Sequence, residues 1–121
     1  AAPVEPGDAE KRILDLSGIV VDLPREEPGF SIAGVRRATL GKRPVATLRF
    51  RYSGDAYLMV VFRQDHLLGS RSPAAFPEES FLSGERDGKS FVFWERDGVS
   101  FIVVSDADVA RTFGMVRHCF S

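Results

Sequence analysis

The stretch that most constrains the fold runs from Phe91 to Val104, Phe-Val-Phe-Trp-Glu-Arg-Asp-Gly-Val-Ser-Phe-Ile-Val-Val. Asp97-Gly98 suits the two central positions of a type I′ turn, because both residues tolerate positive φ. A two-residue loop there sets Trp94 opposite Phe101, Phe93 opposite Ile102 and Val92 opposite Val103. Both faces of that ribbon are apolar. A hairpin with one wet face alternates greasy and polar residues, so this one is expected at the centre of the fold, covered on both sides. It offers no nucleophile, base or metal ligand, which argues against catalysis.

The elements around it follow from punctuation and period. Residues 1–7 carry two prolines and a glycine and read as a linker; residues 8–121 read as one domain. A short helix is expected from an Asp8 N-cap through Ala9, Ile13, Leu14 and Leu16 to a stop at Gly18. Ile19-Val20-Val21 is a brief apolar run, followed by a proline-containing turn from Leu23-Pro24 to Pro28-Gly29. Strands are expected over Phe30–Leu40, kinked at Gly34, over Val45–Tyr52 and over Tyr57–Phe62, with turns at Gly41–Pro44 and Ser53–Asp55. In the second of these, Ala46, Leu48, Phe50 and Tyr52 point one way and Thr47, Arg49 and Arg51 the other.

Residues 65–77 lack periodicity and form the longest irregular piece, of the kind that carries function or stays mobile. Phe81-Leu82 marks the tip of another strand. Glu85-Arg86-Asp87-Gly88 and Glu95-Arg96-Asp97-Gly98 are similar turns feeding similar strands, so the sheet is expected to extend as an antiparallel meander of five or six strands. Ser105-Asp106 ends it and caps a helix, with Asp106 and Asp108 in the first turn and Arg117 and His118 in the last, as the helix dipole favours. Val109, Phe113, Val116 and Phe120 make one apolar stripe that can lie across a face of the Phe91–Val104 hairpin. Gly114 is its weak point. The other face falls to the N-terminal helix, with Ile13 and Leu14, or to a partner. The fold class is α+β.

At 121 residues the chain has room for a core without disulfides, and its one thiol, Cys119, cannot form an internal one. The net charge of −1 gives no global attraction to nucleic acid or membrane. The charge is uneven, however. Residues 30–64 hold Arg36, Arg37, Lys42, Arg43, Arg49, Arg51 and Arg63 against Asp55 alone, about +6, between acidic flanks. If Arg49 and Arg51 share an outer face, they form a basic stripe that can meet an acidic partner or lipid headgroups, or simply remain solvated with their stems over apolar edges. No exposed aromatic is interleaved with these arginines, so nucleic acid is not an expected partner.

Phosphate-binding glycine loops, His-Glu-x-x-His, Cys-x-x-Cys and Gly-x-Ser-x-Gly are all absent from the sequence. Asp106-Ala107-Asp108 is explained by helix capping. The candidate metal ligands are His66, His118 and Cys119, a donor set suited to zinc or copper. They are isolated, and two of them sit at a fraying C-terminus. No metal or cofactor is therefore expected.

Leu23-Pro24, Gly29 through Arg37, Gly41 through Tyr52 and the apolar strand to Phe62, followed by Phe93-Trp94-Glu95-Arg96-Asp97-Gly98 and Val103-Val104-Ser105-Asp106 entering a helix, form a recurring order. It resembles the C-terminal extracytoplasmic domain of bacterial transmembrane anti-sigma factors over roughly Ile19 to Val116. The resemblance implies a non-enzymatic periplasmic sensory or regulatory domain, tethered to the inner membrane in a longer parent. A cytoplasmic sigma-binding domain, often zinc-containing, and one membrane helix would precede it. The parent's other parts, a regulatory protease or self-association are the implied partners; sigma factor would be met only through the absent cytoplasmic domain. The competing expectation is a small periplasmic metal- or redox-responsive binding protein using His118 and Cys119.

Overall fold

The computed structural model describes residues 4–63 and 81–120. Helix α1 (Pro6–Ser17) precedes strands β1 (Phe30–Leu40), β2 (Arg43–Tyr52) and β3 (Asp55–Arg63). Strands β4 (Phe81–Arg86), β5 (Lys89–Arg96) and β6 (Val99–Ser105) follow, and helix α2 (Val109–Phe120) closes the order. The fold is α+β, with both helices packed on one antiparallel six-stranded sheet.

Tight turns make the hairpins. Ser53-Gly54, Asp87-Gly88 and Asp97-Gly98 all take positive φ, between 51° and 87°. These are the left-handed positions of two-residue connections that match strand twist. The resulting register sets Val92 against Val103, Phe93 against Ile102 and Trp94 against Phe101, as the Asp-Gly turn predicts. The kink in β1 is a bulge at Ala33, between Ile32 and Gly34.

The strand order is β1-β2-β3-β6-β5-β4. The expected continuous meander is thus two three-strand meanders, joined where β3 pairs with β6. Connection length is the physical reason: β3 and β4 are not linked by a tight turn, so sequence neighbours need not be sheet neighbours. The joint runs from Tyr57 opposite Ser105 to Arg63 opposite Val99.

One face of the sheet carries the core. Leu48, Phe50, Met59, Val61, Val92, Trp94 and Val103 are buried there beneath Ala9 and Ile13 of α1 and Met115 and Val116 of α2. Helix α1 packs on β1 and β2, whereas α2 packs on β4, β5 and β6. Between them runs an extended strap, in which Ile19, Val21 and Leu23 are buried and Val20 is 76% exposed. Glu10 holds this strap, accepting the Leu23 N–H at 2.8 Å and pairing with Arg25. The N-terminal helix therefore shares a face with α2 and does not cover the hairpin's other side. Phe91, Phe93, Ile102 and Val104 on that side are only half-buried.

Helix boundaries differ from expectation for local reasons. Pro6 opens α1, where its missing N–H costs nothing, so Asp8 lies in the first turn and does not cap it. Val4 donates its N–H to Ile32 O at 2.9 Å, so order begins within the expected linker. Gly18, at φ 73°, terminates α1 as the sequence implies. At α2 the N-cap is Asp108, whose Oδ1 accepts the Arg111 N–H at 2.8 Å. Asp106 lies outside the helix and pairs with Lys89 at 2.5 Å. The buried line of α2 is centred on Thr112, Met115 and Val116, with Phe113 and Phe120 on its flanks. Thr112 tolerates full burial because its hydroxyl donates to Asp108 O at 3.0 Å.

Gly114 lies exposed on α2, and a Cβ there would meet nothing within 4 Å. Gly114→Ala should stabilise the protein by about 0.5–1 kcal/mol through helix propensity and unfolded-state entropy. An upward shift of the urea midpoint at unchanged slope checks this.

Candidate functional site

Of the sequence-derived metal candidates, His66 lies outside the described residues. His118 and Cys119 are adjacent on the last turn of α2 but have different surroundings. His118 Nε2 lies 2.8 Å from Glu27 Oε1, beyond the strap, and its ring neighbours Tyr52 at 6.1 Å between centroids. Cys119 is half-buried and packs against the core. Burial, with the Glu27 carboxylate adding to it, pushes its thiol up to about 11. Among the described residues no three His, Cys, Asp or Glu side chains gather as a metal site. The corner works as a clasp between strap and helix.

The remaining surface of interest is the sheet face that carries neither helix. Cross-strand register lays out its rows. One row runs Gly34, Arg49, Leu58, Val104, Phe91, Gly84 across all six strands. The next runs Arg36, Thr47, Val60, Ile102, Phe93, Leu82. Arginines thus occupy the β1–β2 side, and a half-buried apolar floor occupies β3, β6 and β5. Phe91 lies over Gly84, where a Cβ would come within 3.1 Å of its ring. Leu82, on the far edge, is 53% exposed.

Arg49 and Arg51 do share the outer face of β2, because they alternate with the buried Leu48 and Phe50. Beside them, Arg51 donates to Gly54 O at 3.1 Å and Lys89 pairs with Asp106. Among the described residues Arg49 has no acidic partner. Arg49, Arg51 and Lys89 border an open groove of about 460 Å³ whose floor includes Ala56, Leu58 and Val104.

A third row carries a feature that residue patterning did not single out. Ser100 lies between Phe62 of β3 and Glu95 of β5. Glu95 is 6% exposed and Ser100 fully buried, and among the described residues neither Glu95 Oε1 nor the Ser100 hydroxyl has a hydrogen-bond partner. Burial pushes the Glu95 carboxyl above the usual carboxylate range. The signal in the sequence was Glu95 itself, a charge in mid-strand that reads equally well as part of a turn tetrapeptide. A cavity of about 160 Å³ on the opposite face, between the strap and Trp94, is bordered by Val21, Leu23 and Phe120. Set beside known proteins, the chain matches no family model, no curated protein and no solved structure.

Because Glu95 holds its proton more tightly folded than unfolded, its burial costs stability as pH rises through the carboxylate range. Glu95→Gln should therefore be more stable than wild type at neutral pH, with the difference shrinking as pH falls through the raised folded-state value and gone below the unfolded one. Chemical denaturation from pH 4 to pH 7 reads this out directly. For Cys119, a shift from 9.0 to about 11 leaves about one-hundredth of the usual thiolate at a given pH below both values. Alkylation of the native protein at pH 8 should accordingly be far slower than in urea. Equal rates would show that the thiol is not held as described.

Proposed function

We propose that the chain is a non-enzymatic sensory or regulatory domain, the extracytoplasmic portion of a membrane-anchored anti-sigma factor. What supports this reading is the use the fold makes of the two resembling stretches. Residues 29–62 supply β1, β2 and most of β3, and residues 93–106 supply the end of β5, β6 and the approach to α2. The two meet along the β3–β6 joint. The resemblance thus lies in the framework of the domain and not in a peripheral loop.

In this reading the domain acts through its folded state. It stands in the periplasm, tethered to the inner membrane, and exchanges between two populations that differ in ligand affinity or access to a regulatory protease. That difference governs whether the parent keeps or releases its sigma factor, which is bound by a separate cytoplasmic part. No chemistry is required of the domain, and the alternative that uses His118 and Cys119 is disfavoured by the clasp with Glu27 and the raised thiol.

The test is made in the full-length gene product. The open reading frame should place a membrane helix upstream of this domain. Replacing Val103 by Asp, which puts a charge into the fully buried core, should change transcription from a sigma-dependent reporter several-fold relative to wild type. A reporter indifferent to Val103→Asp, or an open reading frame without a membrane helix, would overturn the proposal.

A further inference from the structure

We infer that the groove on the sheet face opposite α1 and α2 is a binding site for a small anionic amphiphile: one carboxylate, phosphate or sulfate head on a short apolar tail. The head end is defined by charge. Arg49 and Arg51 are exposed on the same side of β2, Lys89 faces them across the groove, and among the described residues Asp106 is the one acid at its border. Arg49 is free of acidic neighbours among the described residues, and Arg51 meets only a backbone carbonyl at the strand end. Guanidinium groups in this state are suited to forked, charge-assisted hydrogen bonds with an oxyanion.

The tail end is defined by register. Leu58 and Val104 are direct cross-strand neighbours next to Arg49, and the apolar strip continues into Val60 and Ile102 one row on. Charge and grease are therefore adjacent within a single groove. Its volume of about 460 Å³ lies in the range of small-ligand sites. A bilayer surface fits less well, because Leu58 and Val104 form a recessed, half-buried floor. Among the described residues, the one strongly exposed large apolar side chain of the face, Leu82, is at the opposite edge from the arginines.

The probe is monomeric decyl phosphate, titrated calorimetrically into the intact chain, beside inorganic phosphate, decyltrimethylammonium and phosphatidylglycerol vesicles. Saturable one-site binding of decyl phosphate is expected. Inorganic phosphate should be weaker by about tenfold or more for want of a tail, and the cationic homologue should not bind. The double substitution Arg49→Gln, Arg51→Gln should weaken decyl phosphate by about tenfold or more with an unchanged urea midpoint, since both side chains are exposed. Absence of saturable binding, equal binding by the double variant or the cationic homologue, or retention on vesicles without binding of the monomer would each overturn the assignment.

Discussion

The pairing of β3 with β6 is the interaction on which the rest of the structure depends. It joins two independently plausible three-strand meanders into one sheet and brings Met59 beside Val103 and Val61 beside Phe101. Without it each half would present a narrow apolar face that one short helix could not cover. With it, α1 and α2 lie on a common surface with the strap between them, and one continuous core extends from Ala9 and Ile13 to Met115 and Val116. The non-local backbone ladder and the apolar burial stabilise each other, which is how a chain of this size secures a core without disulfides.

Aromatic packing sets the position of the second helix on that surface. Trp94 stacks on Phe101 at 5.0 Å and 8°, and Phe120 leans on the same indole at 6.0 Å. At the other end of the sheet Phe50 contacts Phe30, Tyr57 and Phe120. Phe120 thus bridges the two halves from the last turn of α2. Polar groups finish the docking: Ser90 Oγ donates to Ala107 O at 2.6 Å, and Ser105 Oγ accepts the Ala107 N–H at 2.9 Å. These bonds satisfy the chain where it leaves the sheet, so the helix entry can be buried without loss.

The two faces of the sheet therefore have different physics. One is dry, aromatic and closed by helices and strap. The other carries arginines, a half-buried apolar middle, and a row in which a carboxyl and a hydroxyl are buried without hydrogen-bond partners among the described residues. Leaving polar atoms in that state works against stability. Such positions stand out as sites where folding alone does not explain the residue.

Much of this was legible in the chain. Asp-Gly and Ser-Gly demand positive φ, and a period of two assigns side chains to faces, so the hairpins, the Trp94–Phe101 register and the shared face of Arg49 and Arg51 follow from local rules. Gly18 as a helix stop is equally local. What only the tertiary structure decided is non-local. Strand order turned on a pairing between residues 57–63 and 99–105, which no period encodes. That both helices share one face turned on which half of the sheet each could reach. The exposure of His118 beside Glu27 against the half-burial of Cys119, and the burial of Glu95 beside Ser100, turned on what lies across a strand or behind a strap. Local sequence determines backbone conformation and the alternation of faces; which face meets which is determined by packing among segments far apart in the chain.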